Sequence, residues 1–248
     1  MILSPARDRL CLPSLAALLL LAHGRLLAQA VTVTVHVTLD PPPGKARKAD
    51  NSGAVVWLNP LDEGARSVPA KAPGGPFRLV QKNKRFTPHV LVVPAGAVVE
   101  FPNHDPFFHN VFSLFDGKRF DLGLYESGST RTVQFNAPGI SYIFCNIHPS
   151  MSAVVITTKG PYYAISNAAG DVAITGVPPG RYQLNIWQER CLPDVLRKLC
   201  REVVVSPSSS SLGELHLPES GNLLQHKNLY GLDYEPASPY SDSTYAEP

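Results

Sequence analysis

The stretch Phe144-Cys145-Asn146-Ile147-His148-Pro149-Ser150-Met151 places a thiol, an imidazole and a thioether within seven residues of one another. Thiolate and thioether sulfur suit Cu(I), imidazole suits both oxidation states of copper, and two histidines, one cysteine and a weak axial methionine make a blue-copper site. Zinc more often recruits further cysteines or a carboxylate. The stretch therefore predicts a copper loop with Cys145, His148 and Met151 as ligands.

A second histidine must come from another part of the chain, because one loop does not complete such a site. Residues 87–101 are typical of two strands joined at a Pro-Ala-Gly turn. A polar loop, residues 102–108, follows and ends at His109, where a further strand is predicted to begin. We therefore expect His109 to be the remaining ligand. His104, five residues earlier in the same loop, is the alternative.

Together, the His-Asn-Val run at His109 and the Cys-x2-His-x2-Met loop resemble the cupredoxins, the family of plastocyanin and amicyanin, over residues 77–158. The Cys-Asn-Ile-His run also resembles that of cupredoxin-containing proteins of the methylamine utilisation type. The resemblance implies a Greek-key β-sandwich with one copper ion, held equatorially by His109, Cys145 and His148 and axially by Met151. It also implies that Asn110 and Asn146 support the ligands without binding the metal, with Asn110 bracing the cysteine loop.

The cysteines fit an exported protein. Residues 1–30 have the pattern of a signal peptide, with Arg7 and Arg9 before an apolar run and a small-x-small cleavage site ending at Ala30. Cleavage there would remove Cys11 and deliver the mature chain to the periplasm or the medium. Cys191 and Cys200 are predicted to form a disulfide that closes a short loop. Cys145 is then an unpaired exported thiol, which metal binding explains.

Charge and hydropathy exclude several functions. The formal net charge of +2 belongs to residues 1–30, so the mature chain is near neutral and offers no basic surface for nucleic acid. No apolar stretch after residue 30 reaches the ~20 residues of a membrane span. The sequence also lacks the Gly-x-Ser-x-Gly, phosphate-loop and His-Glu-x-x-His motifs of common enzymes. We therefore expect no catalytic activity.

Alternating apolar residues and frequent Gly and Pro predict an all-β fold with a second sandwich beside the first. Residues 177–187 resemble the late strands of the carboxypeptidase regulatory-like, transthyretin-like domain, and Ala54-Val55-Val56 resembles its early ones. We accordingly predict that residues 31–65 and 160–218 form one domain, with the cupredoxin domain, residues 66–159, inserted between them. The alternative is two domains in series, with residues 31–58 joining the cupredoxin sheet.

Residues 219–248 are rich in Ser, Pro, Tyr and acidic side chains and are predicted to form a flexible tail. A tail of this kind either docks a partner or has no role.

The resemblance implies that the chain is a one-electron carrier for a redox partner protein, with electrons leaving through the exposed edge of His148. Four phenylalanines are expected to supply the apolar shell of the metal: Phe107, Phe108, Phe112 and Phe144. Two other functions use the same sequence: copper handling without redox turnover, and a non-catalytic β-sandwich that binds protein or carbohydrate.

Overall fold

The computed structural model describes residues 29–44, 50–62, 76–114, 117–220 and 227–234. The predicted signal peptide lies almost wholly outside these residues. The described chain contains 17 strands and one helix, and the prediction of an all-β fold is confirmed. The strands are β1 (Val31–Asp40), β2 (Val55–Pro60), β3 (Phe77–Arg78), β4 (Val80–Lys82), β5 (Arg85–Thr87), β6 (Val90–Pro94), β7 (Ala97–Pro102), β8 (His109–Ser113), β9 (Phe120–Tyr125), β10 (Thr130–Phe135), β11 (Gly139–Phe144), β12 (Ser152–Thr158), β13 (Tyr163–Ile165), β14 (Asp171–Val177), β15 (Gly180–Trp187), β16 (Arg201–Val205) and β17 (Ser211–Pro218). The helix is α1 (Pro193–Leu199).

Strands β3 to β12 form a sandwich that we call the central sandwich. One sheet has the order β10-β7-β3, the other has the order β6-β12-β11-β8-β9, and β4 and β5 make a separate hairpin. The parallel pairing of β6 with β12 brings residues 90–94 beside residues 154–158. Its core contains the fully buried side chains of Phe101, Tyr125 and Phe135.

The remaining strands form the outer sandwich. Its sheets have the orders β14-β1-β17 and β13-β2-β15-β16. Strand β1 shows the period of two that its sequence predicts, because Val33, Val35, Val37 and Leu39 are buried while the residues between them face outward. Strands β1 and β2 pair with strands that follow residue 160, so this sandwich is assembled from two separate stretches of the chain. The domain boundaries drawn from the sequence stay predictions.

The two sandwiches share apolar packing. Val92, Val154 and Ile156 of the central sandwich belong to the same buried cluster as the core of the outer one. At the edge of this contact, Nε2 of His89 lies 2.8 Å from Oε2 of Glu189. The two sandwiches therefore bury apolar side chains of both in one cluster.

Helix α1 separates the two cysteines predicted to form a disulfide. In this structure Cys191 and Cys200 are both free thiols, and Cys200 Sγ donates to the carbonyl oxygen of Leu196 at 3.5 Å. The pairing of Cys191 with Cys200 stays a prediction. Burial raises the pKa of the Cys191 thiol to about 11.

The predicted flexible tail is described at residues 219–220 and 227–234; residues 221–226 and 235–248 lie outside the described part. Among the described residues, no helix has the length and hydropathy to cross a membrane.

Candidate metal centre

Two elements of the central sandwich carry the predicted ligands. Strand β11 ends at Phe144, the loop from Cys145 to Met151 follows, and β12 begins at Ser152 directly opposite Phe144 in the antiparallel ladder. Within the loop, the Cys145 amide donates to the Met151 carbonyl at 3.3 Å and the Met151 amide donates to the His148 carbonyl at 3.0 Å. His109 is the first residue of the neighbouring strand β8. The sheet therefore brings His109 against the cysteine loop.

Three donor atoms converge at this point. Nδ1 of His109 and Nδ1 of His148 each lie 3.7 Å from Sγ of Cys145, and the three ligand atoms all lie within 4.8 Å of one another. Donors that share one ion at trigonal angles, with bonds of ~2.0–2.3 Å, are about 3.5–4 Å apart. The separations fit a single ion held by all three side chains.

The chemistry of the donor set fits copper. All three side chains have zero relative exposure, and the set of two imidazoles and one thiolate is that of a trigonal blue-copper site. The burial of all three side chains keeps water away from the donor atoms.

Asp105 fixes the orientation of His109, and the sequence analysis did not identify it. Its carboxylate accepts a 2.8 Å hydrogen bond from Nε2 of His109. This bond holds the proton on Nε2 and leaves the lone pair of Nδ1 facing Cys145, as in other metal sites where a carboxylate orients a histidine ligand. The sequence signal that could have indicated this role is the spacing, because the acidic residue Asp105 stands four positions before His109.

The Asp105 carboxylate is itself anchored by a tight turn. Asn83 and Lys84 join β4 to β5 with φ of 54° and 53°, the left-handed values that a type I′ hairpin turn requires. Their backbone amides donate to Oδ1 and Oδ2 of Asp105 at 2.6 and 2.9 Å. The hairpin thus positions Asp105, and Asp105 positions His109.

Electrostatics keep both partners in the states that ligation needs. Burial lowers the pKa of His109, although the Asp105 carboxylate acts in the opposite sense. Burial alone would raise the pKa of Asp105, but the hydrogen bonds from His109 and from the two hairpin amides outweigh it, and the pKa is lowered. A neutral imidazole beside an ionised carboxylate is the form that binds a metal.

Phe107 covers both imidazoles. Its ring centroid lies 5.2 Å from that of His109 and 5.7 Å from that of His148, and Lys84 Nζ lies 5.7 Å from its centroid. Phe112 and Phe144 are buried and pack on each other, whereas Phe108 is 46% exposed. Of the four phenylalanines expected around the metal, Phe107 packs its ring on both His109 and His148.

The other predicted residues have separate positions. His104 is exposed and lies outside the cluster of donor atoms, so His109 rather than His104 joins Cys145 and His148 there. Met151 is fully buried in the same cluster as Cys145. His148 has no exposed edge, contrary to expectation, because its whole side chain is buried.

The brace expected from Asn110 to the cysteine loop is not found among the described residues. Its side-chain amide donates instead to Oδ1 of Asp121 on β9, at 2.8 Å. The Oδ1 of Asn146 accepts a 2.8 Å hydrogen bond from the amide of Leu229, a contact that the sequence did not predict.

Comparison with known proteins gives one relative in sequence and several in structure. The chain is 34% identical over 100 residues to amicyanin-alpha of Methylorubrum extorquens, covering 39% of this chain and 83% of that protein. A purple cupredoxin from Nitrosopumilus maritimus is 22% identical, with a TM-score of 0.31, over 33% of this chain and 99% of the other. Amicyanin from Paracoccus versutus is 22% identical, with a TM-score of 0.31, over 41% and 98%. No protein-family model matches the chain.

Proposed function

The chain belongs to the amicyanin family of copper electron carriers, and we propose that it is an exported protein that carries single electrons on one copper ion. Amicyanin-like cupredoxins are electron carriers rather than enzymes. In the proposed site, His109, Cys145, His148 and Met151 would hold the ion. Copper bound to these ligands supplies the one-electron change between Cu(I) and Cu(II).

One observation carries this proposal. The Nδ1 atoms of two histidines converge on the sulfur of one cysteine at equal distances of 3.7 Å, in a site that solvent does not reach. Apolar side chains would fill this space without the desolvation cost of three buried polar groups. A bound ion explains why they are kept together.

The protein supplies orientation and a dry environment. Asp105 holds the proton of His109 on Nε2, and the β4–β5 hairpin holds Asp105. Phe107 packs on both imidazoles. A site whose ligands are held in this way changes shape little between oxidation states, which favours rapid electron exchange with a partner protein.

Export and the role of the outer sandwich complete the proposal. The pattern of residues 1–30 supports delivery to the periplasm or the medium. We assign the outer sandwich to the carboxypeptidase regulatory-like class, as a module that binds a protein or a carbohydrate. Its two sheets, of three and four strands, are consistent with that class.

The proposal is tested by the optical spectrum of the protein without residues 1–30 after addition of Cu(II). The wild type should show an intense blue band that bleaches with ascorbate and returns on reoxidation. Cys145→Ala should abolish the band. Cys200→Ala, which removes a free thiol at the end of α1, is the matched control and should retain it. Met151→Leu should shift the band while copper stays bound.

The outcomes separate the alternatives. A protein that binds Cu(I) but gives no stable Cu(II) state would replace electron transfer with copper handling. A protein that binds neither ion would be a β-sandwich interaction module. A blue band that survives in Cys145→Ala would refute the ligand assignment.

A further inference from the structure

The segment Lys227–Tyr234, which we call the C-terminal strap, has a defined turn of its own. The Asn228 amide donates to the Leu232 carbonyl at 2.8 Å, and the Gly231 amide donates to the Asn228 carbonyl at 2.9 Å. Oδ1 of Asn228 accepts from the amides of Tyr230 and Leu232 at 2.9 and 3.0 Å. Gly231 has φ of 75°, which favours glycine. The strap is therefore a folded element that can present side chains at fixed positions.

The strap contacts the metal loop at two consecutive residues. The hydroxyl of Tyr234 donates to the carbonyl oxygen of Cys145 at 2.9 Å. The amide of Leu229 donates to Oδ1 of Asn146 at 2.8 Å. Both contacts join residues more than 80 positions apart in the chain, so they arise from tertiary folding.

These two contacts complement the bonds that the loop makes with itself. The internal bonds use the amides of Cys145 and Met151, and the first of them is long, at 3.3 Å. The strap adds bonds to the Cys145 carbonyl and to the Asn146 side chain. They therefore hold the peptide between Cys145 and Asn146, whose orientation decides where the cysteine sulfur lies.

We infer that the C-terminal strap is part of the metal centre and that Tyr234 is a positioning residue, acting through the Cys145 peptide. The inference rests on the proposed copper site. With the strap in place, the Cys145 sulfur stays at the separation from both Nδ1 atoms that one ion requires. Without the Tyr234 hydroxyl, the Cys145 carbonyl lacks that donor, and the loop visits conformations in which the sulfur is displaced.

Tyr234→Phe tests the inference in the full mature chain, with Tyr230→Phe as the matched control. Tyr230 belongs to the same strap but is 76% exposed. The first measurement is copper affinity, by competition with a chromophoric chelator. Loss of one hydrogen bond should weaken copper binding by about three- to tenfold in Tyr234→Phe. Tyr230→Phe should bind copper like the wild type.

A second measurement needs no metal. In the metal-free protein, a thiol reagent should alkylate Cys145 several times faster in Tyr234→Phe than in the wild type or in Tyr230→Phe. Peptide mass spectrometry separates Cys145 from Cys200, which is half-buried and serves as an internal reference. An unchanged Cys200 rate shows that the variant has kept its fold.

The amide of Leu229 provides a third measurement. Hydrogen exchange at this amide should be slow in the wild type and in Asn146→Asp, because an aspartate keeps the acceptor oxygen. Exchange should be at least about tenfold faster in Asn146→Leu, which removes the acceptor.

The inference is overturned if Tyr234→Phe matches Tyr230→Phe in both copper affinity and Cys145 alkylation. It is also overturned if the Leu229 amide exchanges equally fast in the wild type, Asn146→Asp and Asn146→Leu. If the wild type binds no copper, the proposed function fails. Alkylation of Cys145 and exchange at Leu229 then decide whether the strap holds the loop.

Discussion

Asp105 accepts a 2.8 Å hydrogen bond from Nε2 of His109, and the two side chains are 4% and 0% exposed. The contact sets the tautomer of a proposed metal ligand, and Asp105 itself is not one of the proposed ligands. It also connects the metal centre to the β4–β5 hairpin, because the amides of Asn83 and Lys84 donate to the same carboxylate.

Replacing Asp105 should therefore weaken metal binding while leaving every ligand in place. We expect Asp105→Ala to lower copper affinity about 10- to 100-fold, the usual cost of losing a carboxylate that orients a histidine ligand. Competition with a chromophoric chelator measures this loss of copper affinity. Asp171→Asn is the control, since Asp171 pairs with the exposed His36 at 3.1 Å far from the metal loop in sequence. Equal affinities in the two variants would contradict the role given to Asp105.

The His89–Glu189 pair should stabilise the protein more at pH 6 than at pH 9. The hydrogen bond from His89 to Glu189 raises the pKa of His89, and this effect outweighs burial, which lowers it. The contribution of this pair to stability is fully present below pH ~6.5, the pKa of a histidine in the unfolded chain. It is lost as the pH rises through the higher pKa that His89 has in the folded protein. Because both side chains are partly exposed, we expect about 1 kcal/mol or less.

A double-mutant cycle with His89→Gln and Glu189→Gln, followed by urea unfolding, measures the coupling free energy between the two side chains. Coupling at pH 6 that disappears at pH 9 is the expected result. Coupling of the same size at both values would mean that a neutral hydrogen bond, rather than the imidazolium, joins the sandwiches.

Gly170→Ala should destabilise the outer sandwich much more than Gly176→Ala. Gly170 has φ of 98°, and a Cβ atom there would overlap the carbonyl oxygen of Val37 on β1. Gly176 also has a positive φ, of 71°, but a Cβ atom there meets open space. We expect about 1 kcal/mol from backbone strain at Gly176 and at least twice that at Gly170. Thermal unfolding of both variants measures the difference, and equal losses would show that β1 yields to the added methyl group.

Tyr125→Phe should cost about 1–3 kcal/mol of unfolding free energy, because it removes a buried donor. The Tyr125 hydroxyl donates to the Phe101 carbonyl at 3.0 Å and also contacts the Gln81 amide. Tyr163→Phe is the control, since that hydroxyl also donates to a carbonyl, of Val92, but at 3.3 Å and on a half-buried residue. Urea unfolding of the metal-free variants should show the smaller loss for Tyr163→Phe. The reverse order would contradict the importance of the buried network.

The loop proposed to bind the metal could be singled out from the sequence because its candidate ligands are close together in the chain. Cys145 and His148 are separated by only two residues, so the chemistry of the side chains was enough to indicate copper. His109 was distinguished from His104 by the strand that follows it, and the sheet brings its Nδ1 to 3.7 Å from the cysteine sulfur. The alternation of Val33, Val35 and Val37 likewise predicted a strand with one buried face.

The contacts that support the loop could not be predicted, because each depends on how distant segments pack. Asp105 reaches His109 only once the β4–β5 hairpin has turned its amides toward the carboxylate. The Asn110 amide reaches Asp121 only once β8 and β9 have paired. The burial of His148 likewise requires the folded surroundings of the site.

The sequence by itself indicated the kind of metal and the four side chains proposed to bind it, since ligand softness and local spacing are properties of the residues. Only the tertiary structure decided which groups hold those side chains still. The Asp105 carboxylate and the Tyr234 hydroxyl act at distances of about 3 Å, and a hydrogen bond of that length forms only when the whole fold has placed both partners.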